Sequence, residues 1–367
     1  MQIDRRLISH FDWNLLSLAM ILSLLGILTI YSSTYSVLEG SAGHLATKQL
    51  YWFLIAMAAM LVALSIDYRH ISRIAYPFYG LVVFLLCLVL FYGSVGGGSQ
   101  RWLRLGFFAV QPSEPAKLAL VFVLAKYLQY DEPAAGYRLR DLWGLFVLMS
   151  PAILLTLIQP DLGTAVILVL IVLSVITMGG LQLRSLFCLA GSGMLFMPIA
   201  WHFLKQYQRQ RILTFLNPDL DPLGAGYHVI QSKIAIGSGR LLGKGYLKGT
   251  QNQLDFLPAQ HTDFIFSVFA EEWGFLGCFI LLTLHLALIV LSLRIVGRAK
   301  DRFGSLLAFG MTTIFFWQVI INVGMVTAIL PVVGVPLPLL SYGGSSLLSM
   351  MVAVGLLLNV NMRRFTF

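Results

Sequence analysis

The sequence predicts an all-α polytopic membrane protein that forms a single integral membrane domain over residues 1–367. Hydrophobic residues make up 58% of the chain and charged residues 11%, whereas an ordinary soluble domain is roughly one quarter charged. The apolar residues form continuous runs of about membrane-spanning length, which excludes the short alternating segments of an outer-membrane barrel. About ten transmembrane helices are therefore predicted, at 13–33, 50–66, 75–92, 112–130, 142–158, 162–180, 183–202, 264–293, 304–329 and 344–361.

Lysine and arginine positions predict the orientation of these helices, because short loops rich in these residues stay in the cytoplasm. An even number of spans places both termini on one side, and the four terminal arginines Arg5, Arg6, Arg363 and Arg364 lie there. The loop 294–302, which would share that side, is also basic. We expect a multi-pass protein of the cytoplasmic (inner) membrane with both termini in the cytoplasm.

The segment 203–262 is predicted to be a large extracytoplasmic loop between helices 7 and 8. It holds seven of the 25 basic residues, but a loop this long crosses the membrane largely regardless of its charge. The net charge of +9 therefore reflects topology and this loop, and nucleic-acid binding is not expected.

The three cysteines, Cys87, Cys188 and Cys278, lie inside predicted helices at unrelated spacings. This pattern fits neither a disulfide framework nor a metal site, so we expect them to be packing residues.

The first three spans, within residues 1–92, carry few charges and are predicted to be lipid-facing scaffold. A glycine-rich segment starting at Gly93 is expected to be a flexible external loop and carries Arg101. The fourth span begins with Glu114 and Lys117, which lie three residues apart and can pair on one helix face. Two interpretations stay open: a capped helix start with an internal ion pair, or a place where Lys117 and Arg101 hold a phosphate.

A very short external turn between the fifth and sixth spans contains Asp161. An aspartate directly before a helix commonly caps it, and this is the local interpretation. A second external carboxylate nearby would favour a functional role instead.

The 203–262 loop is long enough to contain structure of its own, and residues 230–236 are predicted to form a short amphipathic helix. Its glycine-rich run at 237–245 matches neither the spacing nor the strand-to-helix context of a phosphate loop, so nucleotide binding is rejected. The basic residues, Arg211 and Lys233 among them, either attract a lipid-linked phosphate or anionic headgroups, or simply form a solvated surface.

The end of this loop, His261-Thr262-Asp263, meets the eighth span, where Glu271 follows about two turns further in and is itself followed by Glu272. A carboxylate here is costly and is a functional candidate by default. Burial would raise the pKa of Asp263 and a helix N-terminus would lower it. From the residues alone Asp263 is a general base for glycosyl transfer between lipid-linked sugars, a proton carrier of a transporter, or a helix cap.

The ninth span carries Gln318 and Asn322, which should face other helices or a cavity. The segment 331–346 follows, with three prolines and two adjacent glycines that predict a broken helix. Irregular backbone at membrane depth is tolerated only against protein or a wet cavity, so this segment is expected to line the same cavity as Asp263.

Several motifs along the chain form a specific set: Gln-Arg-Trp, Gln-Pro-Ser-Glu, Gln-Pro-Asp-Leu-Gly, Phe-Leu-Pro-Ala-Gln-His-Thr-Asp-Phe-Ile-Phe and Val-Pro-Leu-Pro-Leu-Leu-Ser-Tyr-Gly-Gly-Ser-Ser. They lie at 100–102, 111–114, 159–163, 256–266 and 335–346, and further motifs of the set cover 217–227, 231–239 and 249–251. With these motifs the chain resembles the SEDS family of bacterial membrane proteins (shape, elongation, division and sporulation), and its elongation branch rather than its division branch. One departure is Ala259, where relatives often carry an acidic residue.

The resemblance implies a peptidoglycan glycosyltransferase that polymerises lipid II at the outer face of the cytoplasmic membrane during elongation and so maintains rod shape. It implies that Asp263 is the general base for the acceptor hydroxyl, that the anomeric carbon is inverted and that undecaprenyl pyrophosphate is released. Arg101, Lys117, Arg211 and Lys233 are the predicted pyrophosphate-binding residues. Seven residues are predicted to support the site: Glu114, Asp161, His261, Thr262, Glu271, Ser341 and Ser345.

The family also implies partners: a class B penicillin-binding transpeptidase, other membrane proteins of the elongation complex, undecaprenyl-linked glycan substrates and membrane lipids. It leaves room for a divalent cation, Mg²⁺ or Mn²⁺, although the sequence offers no dedicated ligand cluster. Two other functions stay open, a lipid II flippase and a non-enzymatic scaffold of the elongation machinery.

Overall fold

A computed structural model describes most of the chain. The described residues are 11–35, 43–96, 99–105, 108–130, 136–203, 206–217, 225–254, 256 and 259–364. Part of the motif at 217–227 and residues 257–258 lie outside them.

Helices form at every apolar run of the sequence, and further helices lie in the long loop. Their bounds are α1 Trp13–Ser33, α2 His44–Ser65, α3 Tyr68–Tyr92, α4 Ser113–Leu128, α5 Trp143–Ile158, α6 Leu162–Met178, α7 Leu183–Phe203, α8 Gln206–Leu216, α9 Ala225–Ser238, α10 Thr250–Gln253, α11 Ile265–Arg298, α12 Arg302–Val326 and α13 Gly344–Met362. Six helices of the described chain, α1, α2, α3, α11, α12 and α13, are long and apolar enough to cross a membrane. The molecule is thus a helical protein with several membrane-spanning helices.

Helix ends differ from the predicted ends where a polar residue caps the helix. α3 begins at Tyr68, before the predicted start at residue 75, because the Asp67 carboxylate accepts a hydrogen bond from the Arg69 N–H. α12 begins after Asp301, whose carboxylate accepts the Gly304 N–H at 2.7 Å. Apolar runs locate the middle of a helix, whereas a side-chain cap can extend it into polar sequence.

The glycine-rich segment after α3 is not a simple flexible loop. It forms an antiparallel three-stranded sheet of β1 Ser94–Gly96, β2 Ser99–Leu105 and β3 Phe108–Val110, in the order β1-β2-β3. Val95 pairs with Gln100, and Leu103 pairs with Val110. Pairing of β2 on both sides gives this segment a fixed shape, which the glycine content concealed.

The glycine run at 237–245 packs against a break in α11. Gly274 has φ 65° and ψ −164°, which interrupts the helix and frees the carbonyl groups of the preceding turn. The N–H groups of Lys244 and Gly245 donate to the Glu271 and Glu272 carbonyls, each at 3.0 Å. The run is therefore a structural clamp on a discontinuous helix.

The centre of the bundle is formed by α4, α12 and α13, which bury most of their residues. Between α12 and α13 the chain runs without a helix from 327 to 343, as the prolines predict. The predicted amphipathic helix at 230–236 is part of the longer α9. The three cysteines form no disulfide in the described structure, and Cys188 is exposed rather than packed as expected.

Candidate active site

The first turns of α4, α6, α11 and α13 meet at one end of the bundle and enclose a cavity of about 630 Å³. We call this space the Asp263 cavity. The sheet, α8, α9 and the segment 327–343 complete its walls. Its polar lining comprises Arg101, Gln111, Glu114, Thr164, Arg211, Thr214, His228, Thr262, Asp263, Tyr342 and Ser346.

Asp263 is half-buried in the turn that precedes α11. Its backbone carbonyl accepts a hydrogen bond from Asn322 Nδ2 at 2.9 Å. Among the described residues, no hydrogen-bond donor or ion-pair partner contacts the Asp263 carboxylate. Gly334, with φ 72°, faces it so closely that a Cβ there would lie 3.1 Å from Asp263 Oδ2. The carboxylate therefore keeps its acceptor capacity for a ligand in the cavity.

Burial raises the pKa of Asp263 to about 6. The neighbouring Arg101 and Arg211 guanidinium groups oppose this rise, and the negative charge of Asp161 adds to it. Burial thus prevails over the influences that favour the charged form, a balance that the sequence alone left open. A carboxylate with this pKa is ionised at neutral pH and is a stronger base than an ordinary aspartate.

Asp161 caps a helix and also forms an ion pair with Arg101. One carboxylate oxygen accepts the Thr164 N–H at 3.2 Å and caps α6, as predicted. The buried carboxylate also lies 3.5 Å from an Arg101 guanidinium nitrogen and accepts a hydrogen bond from Gln111 Nε2 at 3.3 Å. Arg101 in addition donates to the Pro160 carbonyl. Asp161 therefore holds Arg101 against the cavity wall.

The other predicted cations occupy different positions. Lys117 is buried in α4 and forms a 2.9 Å ion pair with Glu114, so the predicted pair exists. Glu114 lines the cavity, whereas Lys117 lies behind it and is not part of the lining. Arg211, on α8, lines the cavity. Lys233 is exposed on α9 and lines none of the cavities described here.

The broken segment binds the His-Thr-Asp turn through its backbone. Ser341 donates its hydroxyl to the Thr262 carbonyl at 2.7 Å and accepts the Leu337 N–H at 2.8 Å. The Tyr342 N–H donates to the His261 carbonyl at 2.9 Å, and the two rings meet edge to face. Burial lowers the pKa of His261, so its imidazole is neutral near pH 7. These contacts support the backbone around Asp263 without occupying its carboxylate.

Ser345 acts at the sheet side of the cavity. Its hydroxyl accepts the Gln111 N–H at 3.2 Å and donates to the Ala109 carbonyl at 3.4 Å. It therefore joins the start of α13 to the end of β3.

Glu271 lies outside the cavity lining and is buried in α11. Its carboxylate accepts hydrogen bonds from Lys244 Nζ at 2.6 Å, the Thr250 hydroxyl at 3.1 Å and the Gln251 N–H at 3.1 Å. Glu272 accepts a hydrogen bond from the Ser32 hydroxyl. Both glutamates therefore hold neighbouring elements in place around α11.

Several cavity residues were not singled out from the sequence. His228 stacks on Phe264 with ring centroids 6.1 Å apart, and burial together with Arg211 lowers its pKa. Asn322, which lies outside the cavity lining, was predicted to face other helices or a cavity, and nothing in its local sequence indicated its contact with the Asp263 carbonyl. Gly334 lies within a proline-rich segment, where a glycine in the sequence does not by itself indicate a close approach to Asp263. Among the described residues, no group of three His, Cys, Asp or Glu side chains could hold a metal ion.

The fold and cavity define a polytopic membrane protein with a carboxylate and two guanidinium groups facing one cavity among helix ends. The sequence profile of the FtsW, RodA and SpoVE cell cycle proteins matches residues 12–365. The chain belongs to this family.

Relatives and solved structures agree with this membership. The chain is 42% identical to the peptidoglycan glycosyltransferase MrdB of Escherichia coli K12, over 97% of this chain and 94% of that protein. It is 34% identical to the peptidoglycan glycosyltransferase RodA of Treponema pallidum, over 97% and 99% of the two chains. A chain from a peptidoglycan synthase complex that coordinates polymerization and crosslinking superposes with a TM-score of 0.83 at 32% identity, over 97% and 99%.

Proposed function

We propose that this protein is a peptidoglycan glycosyltransferase that joins lipid II disaccharide units into glycan strands during cell elongation and so maintains rod shape. The observation that carries the proposal is the Asp263 carboxylate, which faces the cavity without a partner among the described residues and has a pKa of about 6. The relatives named above as peptidoglycan glycosyltransferases support the same chemistry.

In the reaction, Asp263 accepts the proton of the acceptor 4-hydroxyl as the oxygen attacks the anomeric carbon of the donor. A new C–O bond forms on the face opposite the leaving group, which inverts that carbon. The bond from the same carbon to the pyrophosphate breaks, and undecaprenyl pyrophosphate leaves with the electron pair. The proton on Asp263 then passes to water in the cavity.

The departing pyrophosphate needs positive charge beside it, and Arg101 and Arg211 face the cavity for this role. Lys117 neutralises Glu114 behind the wall, and its predicted phosphate role would require that ion pair to rearrange. Lys233 would meet a phosphate only at the outer surface. A divalent cation, Mg²⁺ or Mn²⁺, would bind chiefly through the pyrophosphate oxygens, since the described residues offer it no ligand cluster.

The proposed topology has ten spans in the cytoplasmic membrane, with α8 to α10 and the Asp263 cavity on the outer side and both termini inside. The basic loop 294–302 supports it, because such loops stay in the cytoplasm. We assign a class B penicillin-binding transpeptidase as partner, together with other elongation-complex proteins. The neighbouring structure from a synthase complex supports such a pairing.

The decisive experiment is polymerisation of lipid II by the purified protein with its transpeptidase. The wild-type complex should form glycan strands, and Asp263→Asn should lose strand formation while retaining the fold and the partner. Strands from Asp263→Asn would refute the assignment of the base. Transfer of lipid II across vesicles without polymerisation would establish a flippase, and normal cell shape with Asp263→Asn would establish a scaffold.

A further inference from the structure

A second cavity, of about 670 Å³, lies beside the Asp263 cavity and is not used by the chemistry described so far. We call it the Lys48 groove, because Lys48 is the charged residue of its described lining. The linings of the two cavities share four residues, Trp102, Thr262, Tyr342 and Gly343. The two spaces are therefore adjacent across a thin wall, and the residue directly before Asp263 borders both.

One side of the groove is a stripe on α2 formed by Lys48, Tyr51, Trp52 and Ile55. These positions are separated by three, four and seven residues, so they share one helix face. Tyr51 is 63% exposed and Ile55 is 39% exposed, so the stripe reaches the surface of the bundle. At 1.5 Å per residue it extends about 10 Å along the helix from Lys48 to Ile55. The groove thus combines one cation at its polar end with an apolar track along a membrane helix.

The charges of the two spaces differ in a way that matters for glycosyl transfer. The Asp263 cavity presents two guanidinium groups, from Arg101 and Arg211, beside the Asp263 and Glu114 carboxylates, whereas the groove presents a single ammonium group. A donor releases its pyrophosphate as negative charge develops on several oxygens, and two guanidinium groups offer those oxygens more N–H donors than one ammonium group does. An acceptor keeps its phosphate throughout the step and needs only a contact that fixes its position. In the described structure, Lys48 has no hydrogen-bond or ion-pair partner that would compete for such a phosphate.

We propose that the Lys48 groove binds the acceptor, a second lipid-linked pyrophosphoryl saccharide, while the donor occupies the Asp263 cavity. Lys48 contacts the acceptor phosphate, the Tyr51 and Ile55 face contacts the first isoprenoid units, and the terminal sugar passes Thr262 to present its 4-hydroxyl to Asp263. Trp52 is the fixed floor, because the Gly344 backbone packs directly against its ring. This assignment rests on the proposed polymerase function and adds to it which substrate lies on which side of the base.

The test uses two lipid II analogues, each able to play one part only. A 4-deoxy analogue lacks the nucleophile and can only donate, and an analogue with a non-hydrolysable C-phosphonate in place of the anomeric oxygen can only accept. The complex with the transpeptidase joins one of each. Lys48→Gln should raise the KM for the acceptor analogue about tenfold, the value of one charge-assisted hydrogen bond, and leave the KM for the donor analogue unchanged. A raised donor KM, or no change in either KM, would overturn the assignment.

Lys248→Gln is the matched control, because Lys248 is an exposed lysine in the loop before α10 and lines neither cavity. It should change neither KM. If Asp263 were not the base, Asp263→Asn would still couple the analogues, and the Lys48→Gln effect would persist in that background. Failure of the base assignment and failure of the acceptor assignment are therefore separable.

Binding is tested without turnover by placing a benzophenone amino acid at Tyr51 in the Asp263→Asn protein. Light should crosslink the acceptor analogue, and unlabelled acceptor analogue should compete. Capture of the donor analogue in its place would contradict the proposal. So would crosslinking of bulk phospholipid that the acceptor analogue does not displace, because the groove would then be an ordinary lipid contact.

Discussion

At the scale of single residues, the chemistry depends on how Asp263 is kept both basic and available. The protein around it raises its pKa, while the carboxylate is free of hydrogen bonds from the described residues. Arg101 is paired with Asp161, so part of its charge is already compensated before a substrate arrives. Arg211 also lines the cavity and favours the ionised form of Asp263, so its removal should raise the pKa of Asp263. Asp263 should therefore respond measurably to pH and to Arg211.

The rate of polymerisation should rise with pH through about 6, because only the ionised Asp263 can accept the acceptor proton. Arg211 favours the ionised form, so Arg211→Gln should move this midpoint to higher pH as well as weaken donor binding. The measurement is the pH dependence of kcat/KM with lipid II. A midpoint near the ordinary aspartate value of 3.8 would show that burial does not raise the pKa of Asp263.

Asp263 should also make the stability of the protein depend on pH. Its pKa is higher in the folded protein than the ordinary 3.8, so protonation stabilises the fold. This stabilisation is complete below the unfolded pKa and is lost as pH rises through about 6. Asp263→Asn should accordingly raise the Tm at pH 8 more than at pH 5. Equal shifts at both pH values would contradict the assignment of the raised pKa.

At the scale of structural elements, one carboxamide connects the turn that carries the base to the opposite wall. Asn322 on α12 donates from Nδ2 to the Asp263 carbonyl at 2.9 Å and to the Val335 carbonyl at 2.7 Å. Gly334, which faces the carboxylate, directly precedes Val335. The same NH₂ group therefore sets the distance between base and wall, and Asn322 is a positioning residue.

Asn322→Leu should lower kcat by about 10- to 100-fold with little change in KM, because a displacement of about 1 Å at a catalytic group has effects of this size. Looser packing would also admit water to Asp263 and move the acidic limb of the pH profile to lower pH. Gln318→Leu is the matched control, one turn away on α12, where both side-chain polar atoms are buried without a described partner. It should preserve kcat and the pH profile. A loss of Tm alone in Asn322→Leu would indicate a purely structural role.

The clamp on α11 is a second element whose geometry can be tested. Gly243 has φ 80°, and a Cβ there would overlap the Glu272 carbonyl oxygen. Gly243→Ala should destabilise the protein by about 1–3 kcal/mol, because positive φ and the close approach both penalise a side chain. Gly237→Ala in α9 meets no atom within 4 Å and should be neutral or slightly stabilising. Thermal unfolding in detergent checks both, and equal Tm values would refute the clamp.

How far these elements follow from sequence depends on the kind of interaction that forms them. Apolar runs located the membrane helices, and the prolines after α12 located the broken segment. By contrast, the sheet at 94–110 depends on pairing between strands, and the break at Gly274 depends on a loop more than 20 residues earlier. Asp263 was predicted as a functional candidate because a carboxylate beside an apolar run is costly, and it lines the cavity. The position of Lys233 away from the cavity was not predicted, because the charge of a residue does not determine which way its helix faces.

At the scale of the whole molecule, the two ends of the helix bundle differ. Several helices start at the cavity end, and basic segments lie at the other end. The starts of α4, α6, α11 and α13 meet around Asp263, and the Arg363 guanidinium lies at the opposite end beside Asp67. Arg363 also donates to the Leu64 and Ser65 carbonyls at the end of α2. The end of α13 that bears Arg363 is thus tied to the end of α2 and lies one helix length away from the start of α13 at the cavity.

This difference between the two ends predicts which positions a membrane-impermeant reagent can reach from outside. In a variant whose three cysteines are replaced, Lys248→Cys should react with a membrane-impermeant maleimide in intact spheroplasts. Lys248 is exposed and belongs to the segment 203–262, which the proposed topology places outside the membrane. Arg298→Cys, exposed at the end of α11, should react only after permeabilisation, because the proposed topology places the basic loop 294–302 in the cytoplasm. Strand formation from lipid II confirms that each variant is folded. Labelling of both positions from the same side would mean that α11 does not cross the membrane, and the acceptor and donor would then have no common outer face on which to meet.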